Sequence, residues 1–573
     1  MLPLATAAQM RELDRRAIEE RGIPSLELME NAAHAAAQAV WELLNPAEDE
    51  YGVIGHSHCV VIAANKKGAP PPTDEEQARM DELRAIVESK NDDPIPRVAI
   101  FCGPGNNGGD GVAAARLLMG MGPCQVRTFF VGDRDKMTPD ERAMEEKLIA
   151  AGGCLEDFAV DMTDRAALEA TMTFEQQKLL MWISTCDVMV DALFGVGLTR
   201  PVAGVFRTAV LQMQGGRCPV VACDVPSGVN ADTGEVLGEA VQAKVTVTFT
   251  RGKPGLYSGE GASRAGEVRI VDIGIPHDLE YQMFRALPQL SVVRQPDSQL
   301  PLRPRNAHKG DFGKVFILAG SEGYTGAPVL AARAALRVGS GLVYLGVPQE
   351  IYPIIAVKCD EAMPFPLPEN YSAILERATG CDVALIGPGL GRGPKAERLA
   401  LSLLKDLTIP VVLDADGINA LAGHIDILDK RSALTVLTPH EGEFARLAGN
   451  ALPIADRLSA ARNFAREHSC VLVLKGQGTV TAAPDGSAWI NATGNPGMAK
   501  GGSGDVLAGM IAALLGQKHL RKEWDSTAEL VVDGVCLHGL AGDACAQKFG
   551  EYAMLPTDLI EEIPQVLRQY TER

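Results

Sequence analysis

The feature that most constrains this chain is a pattern that occurs twice: a short apolar run, a loop bearing Gly or Asp, then a helix. In the first series RVAIFC, starting at Arg97, leads into a Gly-rich turn and the helical GVAAARLLMGM, and QVRTFFVG, CDVMVDALFG and CPVVACDVPSG follow. The second series opens at GKVFILAGS and runs through GLVYLGV, VALIGPG, PVVLDADG, ALTVLTPH and CVLVLKG. Strands this apolar have no face to offer water, so they predict an α/β fold with parallel sheets covered by helices on both sides. Ligands of such sheets bind at the carboxyl ends of the strands, where the Gly- and Asp-bearing loops lie.

Two such lobes suit the length of 573 residues, which is too long for one core. With 46% hydrophobic and 22% charged residues, a disordered chain is excluded. The formal charge of −19 repels phosphate backbones and anionic lipid, which argues against nucleic-acid and membrane partners. Thr6 and Gln9 read as a capping box opening a helix, which argues against a signal peptide. None of the 12 cysteines forms a CxxC pair, and Cys102, Cys218, Cys223 and Cys470 lie in or beside strand-like runs; buried free thiols and a reducing cytoplasm are expected. Helical periodicity covers residues 6–44, HCVVIAA at 58–64 reads as a strand, and a polar surface insertion is expected at about 65–96. Residues 277–304 lack sustained strand–helix alternation, so the domains are divided there as 1–295 and 296–573.

In the first half, Gly103-Pro-Gly105-Asn-Asn-Gly108 fits the GxGxxG pattern that sets a pyrophosphate on a helix N-terminus. The acidic residue that should follow about 20 positions on arrives late, as Asp133. A loop needing only backbone amides has no use for the side chains of Asn106, Asn107 and Asp110, which suggests contacts to a ligand or an ion. Asp191 in VDALFGVGL and Asp224 with Ser227 in CDVPSGVN end two further strand–helix units. Their oxygens together suit a hard cation, and no His/Cys cluster suggests zinc; the plainer alternative is that each Asp caps the next helix.

GPGNNGGDG, VDALFGVGL and DVPSG, with LMENA upstream, resemble the epimerase domain of NAD(P)H-hydrate repair enzymes. The resemblance implies a Rossmann-like three-layer domain that interconverts the R and S hydrates of NADH and NADPH (NADHX and NADPHX) with bound potassium. It implies substrate contacts at Asn106, Asn107, Gly108, Gly109 and Asp110, along Gly195, Val196, Gly197, Leu198, Thr199, Arg200 and Pro201, and at Asp224. Asn107, Asp191 and Ser227 would ligate potassium, and Asp191 would serve catalysis. One carboxylate among neutral oxygens agrees with a monovalent ion. Val112 stands where the family often has a bulkier residue after GGDG.

In the second half, GNPGMAKGGSGDVLAGMIAALLG (494–516) sets Gly501, Gly502, Ser503 and Gly504 at the start of an apolar helix, an arrangement that makes an anion hole. Asp505 would repel a phosphate there, but makes sense as a base toward a hydroxyl being phosphorylated. Without GxxxxGK[ST] this is not a P-loop protein. Lys475-Gly476-Gln477-Gly478-Thr479 leaves a strand as a turn that either holds a nucleotide phosphate or is a plain hairpin. His440 reads as a ligand contact or as a satisfied strand-end histidine, and Asp414 and Asp416 could meet magnesium through water.

With HKGDFG and YTGAPVLAARAALRVGSGLV, these segments resemble the dehydratase domain of the same repair system, on a ribokinase-like α/β fold. The resemblance implies hydrate contacts at Ala327, Gly391, His440 and Asp505. It also implies adenine-nucleotide contacts at Lys475 to Thr479 and at Gly504, with Mg2+ accompanying ADP. Phosphorylation would turn a poor leaving group into a good one, and elimination would restore the dihydronicotinamide. A homo-oligomer is expected. The rival within enzymes is a small-molecule kinase, and the rival outside them is a first half that only binds nucleotide and regulates the second.

Overall fold

The computed structural model describes residues 1–46, 73–93, 95–160, 172–216, 218–297, 300, 303–520 and 527–571. The strand expected at 58–64 and the first part of the expected insertion lie outside these. The chain forms two compact units, Leu4–Ala286 and Met1–Pro3 with Leu287–Arg573.

In the first unit the stretch 6–44 is two helices, Ala7–Glu19 and Ser25–Leu44, parted where Gly22 takes φ 70° and Pro24 has no N–H to donate. The capping box is formed: Gln9 N donates to Thr6 Oγ1 at 3.3 Å, and Thr6 N to Gln9 Oε1 at 2.8 Å. Ala32, Ala33, Ala36 and Ala37 are buried, and such small side chains let the second helix lie close against the helix Asn106–Met121. The sheet is parallel throughout, in spatial order Leu155–Asp157, Gln125–Phe130, Arg97–Cys102, Val188–Ala192, Val220–Cys223, Val245–Phe249, Glu267–Val271. Val98, Ile100 and Cys102 enter one core, while Ala99 and Phe101 enter another on the opposite face. This two-sided burial is why the run reads as continuously apolar.

The chain starts this sheet in its middle, builds to one side, then returns with Val188–Ala192 to build the other. The crevice between Arg97–Cys102 and Val188–Ala192 is therefore a topological switch point. Within the expected insertion, the helix Asp74–Asp92 is fastened to the sheet. The Arg97 guanidinium donates to Ile86 O and Ser89 Oγ, and Lys90 Nζ pairs with Asp187 at 2.6 Å.

The second unit has an eleven-stranded sheet. Seven parallel strands run in the order Val471–Leu474, Thr435–Leu437, Val411–Leu413, Val383–Ile386, Lys314–Leu318, Leu342–Val347, Met363–Pro366. Beyond Val471–Leu474 follow Val480–Ala482, Ala488–Asn491, Leu290–Val293 and Leu2–Pro3. The division expected at 295 is therefore too late. Leu290–Val293 pairs in parallel with Ala488–Asn491 and belongs to the second sheet, so the units part between Ala286 and Leu287. Val315 and Ile317 pack in one core with helices that include Gly326–Arg337, Ser503–Gly516 and Pro556–Gln569, while Phe316 and Leu318 are buried between them in sequence. Here too the first strand is central, and the switch point lies between Lys314–Leu318 and Val383–Ile386.

The cysteines among the described residues are free, most of them buried. No helix among these residues is long and apolar enough to cross a membrane.

Candidate active sites

At the first switch point lies a cavity of about 410 Å³, lined by Asn106, Asn107 and Asp110 from one strand end and by Gly195 to Leu198 from the next. Gly105, at φ 136°, turns the chain into the helix Asn106–Met121, and the buried Glu141 carboxylate accepts the Gly105 N–H at 3.0 Å. Burial pushes Glu141 up to about 7. Gly108 and Gly109 are buried behind this rim. A Cβ on Gly108 would meet Gly103 O at 1.8 Å and Glu141 Oε1 at 2.5 Å. The Gly108→Ala variant should therefore lose about 3 kcal/mol of first-unit stability, together with that unit's activity. Calorimetry alongside an assay of the second unit, which should be untouched, checks this.

Of the residues expected along 195–201, Gly195, Val196, Gly197 and Leu198 line the cavity; Thr199, Arg200 and Pro201 are exposed and do not. Asp224 lines it from a left-handed backbone, φ 64°, and its Oδ1 accepts from Lys253 Nζ at 2.5 Å and Thr248 Oγ1 at 3.2 Å. Asp110 is held well above the usual carboxylate range by burial and then by the charges of Asp224 and Asp14.

Asp191 does not line the cavity. Its Oδ2 accepts Ser227 N at 2.7 Å, and its Oδ1 accepts Ser227 Oγ at 2.6 Å and Leu193 N at 3.2 Å. Burial raises it to about 6. The Ser227 hydroxyl in turn accepts Phe194 N at 2.9 Å, so the pair braces the loop that carries Gly195. Among the described residues, both polar atoms of the Asn107 amide are buried without a partner. A Cβ on Gly195 would come within 3.5 Å of Asn107 Oδ1 and 3.1 Å of Asp224 Oδ2. A buried amide left unpaired costs ~1–3 kcal/mol, so a ligand or ion at Asn107 is chemically called for. No group of three or more His, Cys, Asp or Glu among the described residues forms a metal cluster; Asn107 offers a neutral amide oxygen, and Asp191 and Ser227 are bonded to each other.

Two groups on this wall escaped the sequence reading. Asp14, from the helix Ala7–Glu19, and Lys253, beyond the strand Val245–Phe249, both line the cavity. The signal for Lys253 was a lysine directly after an apolar strand. Asp14 gave only a carboxylate flanking the buried Met10, Leu13 and Ala17.

In the second unit the helix Ser503–Gly516 is buried at almost every position, as an apolar helix requires. Gly502, at φ 107°, caps it without a side-chain hydrogen bond; Ser503 N donates to Lys500 O at 3.2 Å, which leaves the amides of Gly504 and Asp505 open. The loop before it is tied down: Asp543 accepts Gly494 N and Asn495 Nδ2, and Lys500 Nζ donates to Tyr552 O and Met554 O. Burial, then the nearby Asp414 charge, raises Asp505 to about 7 against the opposing pull of Lys475.

Lys475 Nζ donates to Asp414 Oδ1 at 2.9 Å, where Thr438 Oγ1 also donates at 2.7 Å. A Cβ on Gly504 would lie 3.3 Å from the same ammonium, so the Lys475 loop and the helix N-terminus meet. Lys475 to Thr479 is also the turn between the antiparallel strands Val471–Leu474 and Val480–Ala482; hairpin and ligand loop are thus compatible. Its shape is set by Arg457, a residue the sequence did not single out. The guanidinium donates to the carbonyls of Leu474, Lys475, Gln477 and Gly478 at 2.7–3.4 Å, while Lys475 N donates to Pro439 O at 2.8 Å and Gly476 N to Thr479 Oγ1 at 3.3 Å.

His440 caps the helix Glu441–Ala448, its Nδ1 accepting Gly442 N at 3.0 Å and Glu443 N at 3.3 Å, with the ring exposed. Asp416 accepts Gly391 N at 2.8 Å, and Ala327 lies on the first turn of Gly326–Arg337 beside Gly389. Asp414 and Asp416 present only hard oxygen donors, and Lys475, Thr438, Gly391 and Asn419 already bond to them. That suits contact with magnesium through water rather than a direct metal cage.

The family model described as YjeF-related protein N-terminus matches residues 25–255, and that described as NAD(P)H-hydrate dehydratase matches residues 315–565. The bifunctional NAD(P)H-hydrate repair enzyme Nnr of Moorella thermoacetica is 38% identical over 99% of this chain and 97% of its own length. That of Escherichia coli is 35% identical over 82% of this chain and 84% of its own. A solved ADP/ATP-dependent NAD(P)H-hydrate dehydratase from Bacillus subtilis, co-crystallised with ATP and Mg2+, is 32% identical over 48% of this chain and 95% of that one, with a TM-score of 0.41. Since relatives of this identity match along nearly its whole length, the chain belongs to the bifunctional NAD(P)H-hydrate repair enzymes.

Proposed function

We propose that the unit Leu4–Ala286 interconverts the R and S hydrates of NADH and NADPH, and that the unit completed by Leu287–Arg573 dehydrates the S hydrate with ADP as phosphoryl donor, releasing AMP and phosphate. The observation that carries this reading is Asp505. A carboxyl raised to about 7 sits at the open N-terminus of a buried helix, beside a lysine-bearing turn. Such a group can take the proton of a hydroxyl while the helix amides hold the phosphoryl group arriving on it. Ala327, Gly391 and His440 would border the hydrate, and Lys475 to Thr479 with Gly504 the nucleotide. Mg2+, brought by the nucleotide, would supply charge neutralisation and meet Asp414 and Asp416 through water.

In the first unit, Asn106 to Asp110, Gly195 to Leu198 and Asp224 would receive the hydrate. Potassium would satisfy the Asn107 amide and lie near Asp191 and Ser227, organising the loop after Val188–Ala192. The same reading puts the enzyme in the cytoplasm as a homo-oligomer, consistent with its buried free thiols.

The test is a fragment beginning at Leu287, incubated with racemic hydrate and ADP. It should restore half of the dihydronicotinamide absorbance with stoichiometric AMP, and the full chain should restore all of it. Complete repair by the fragment would overturn the division of labour, exclusive use of ATP would overturn the donor, and accumulation of a phosphorylated product would favour a small-molecule kinase.

A further inference from the structure

Six charged side chains line the first-unit cavity: Arg11, Asp14, Asp110, Asp140, Asp224 and Lys253. Arg11 is exposed and its guanidinium donates to Val196 O, which leaves Lys253 as the buried cation beside Asp14, Asp110 and Asp224. Lys253 is spoken for, its Nζ donating to Asp224 Oδ1, Thr248 Oγ1 and Phe249 O, so Asp224 is the carboxylate it neutralises. Asp14 and Asp110 are left. Neither has a hydrogen bond among the described residues, and each lies within electrostatic reach of the other. They stand on separate helices, Ala7–Glu19 and Asn106–Met121. Two neighbouring carboxyls with no cation bonded to either cannot both ionise cheaply, so at neutral pH the pair retains a proton. Burial accordingly holds Asp14 at about 6.

We propose that Asp14 is a catalytic residue of the epimerisation, forming with Asp110 the acid–base pair that removes and returns water at the hydrated carbon. This rests on the epimerase reading of the first unit. The hydrated carbon carries a hydroxyl and is bonded to the ring nitrogen. The protonated carboxyl of the pair gives its proton to that hydroxyl. The C–O bond breaks and its electrons leave with the water, while the nitrogen lone pair forms a C=N bond. Water then adds to the opposite face of this cation, the C=N electrons return to nitrogen, and the proton lost by the added water passes to the carboxylate of the pair. No oxidant or second reactant is consumed. One proton enters and one leaves, and the carbon emerges with inverted configuration. Asp224, paired with Lys253, takes no part in the proton transfer.

The full chain provides its own control, because its second unit consumes only the S hydrate. Asp14→Asn and Asp14→Glu would be assayed with pure R hydrate plus ADP, and separately with pure S hydrate plus ADP, after subtraction of the enzyme-free rate. Conversion of the R hydrate by Asp14→Asn should fall at least ~100-fold in kcat with KM little changed, and conversion of the S hydrate should stay within about twofold of wild type. Asp14→Glu, which keeps the acid, should recover at least about a tenth of the lost rate. Three outcomes overturn the proposal: wild-type conversion of the R hydrate by Asp14→Asn, a loss carried by KM alone, and equal inactivity of both variants with a lost thermal transition of the first unit. Failure of the wild-type chain to convert the R hydrate would instead sink the epimerase reading beneath it.

Discussion

Replacing Asp505 with Asn should lower turnover of the S hydrate by roughly 10²–10⁴ while leaving nucleotide affinity nearly unchanged. Asparagine keeps the shape of the side chain, and the first-turn amides of Ser503–Gly516 that would hold phosphate are backbone groups the substitution does not touch. What disappears is a group able to accept a proton. Its pH signature has a definite sign. A base works only when ionised, and Asp505 is raised to about 7 by burial and by the charge of Asp414. Wild-type turnover should therefore climb as pH rises through about 7 and level off above it. The residual activity of the Asn variant should show no such limb. Steady-state kinetics on the S hydrate, with calorimetric titration of ADP, measures both quantities. A variant that turns over at the wild-type rate would remove Asp505 from the chemistry.

The second large effect is on stability. Lys253 is 1% exposed, and its ammonium is the donor that satisfies Asp224, Thr248 and Phe249. Substituting Met fills the space but strands the carboxylate of Asp224 against an apolar stem, a loss of about 3–5 kcal/mol. For a unit of this size that lowers its melting temperature by roughly 10 °C. The second unit's dehydratase activity should be untouched. Adding Asp224→Asn to Lys253→Met should recover part of the loss, since the uncompensated charge goes with it. Differential scanning calorimetry of the two variants checks this, and a single-variant loss under about 1 kcal/mol would mean that water reaches Asp224.

Most of the fold was legible because doubly covered parallel strands leave no polar position. RVAIFC, VMVDA and VALI could be little else, and each occupies a central strand. The loops after them were legible for a related reason: Asn107, Asp224 and Asp505 are polar side chains placed where backbone geometry alone would not need them. What stayed hidden depended on partners distant in sequence. Leu290–Val293 is a four-residue strand between prolines whose place is set by Ala488–Asn491, about 200 residues on, so nothing local separated it from linker. Asp14 looks like any carboxylate on an amphipathic helix until Asp110 and Asp224 are brought to it. Arg457 reads as a surface arginine in a charged helix, and only the folded hairpin turn supplies the four carbonyls that bury it. Asp191 was conspicuous in its motif, but its bonds to Ser227 and to the amide of Leu193 emerge only once two separate strand ends are side by side.

The pairing of Leu2–Pro3 with Leu290–Val293 makes the entire first unit an insertion between two neighbouring antiparallel strands. While that unit is folded, its roughly 280 residues act as a rigid connector whose two ends are held at strand spacing. Once it melts, the same residues become a flexible loop, and closing a loop of that length costs about 5 kcal/mol of chain entropy. Two residues of edge pairing cannot meet that cost. Unfolding of the first unit should therefore release the outermost strand of the second sheet and leave Leu290–Val293 as an open edge, ready to pair with another chain. The two catalytic units are thus linked not only by a common substrate but through polymer entropy, and heat damage to one is transmitted to the rim of the other.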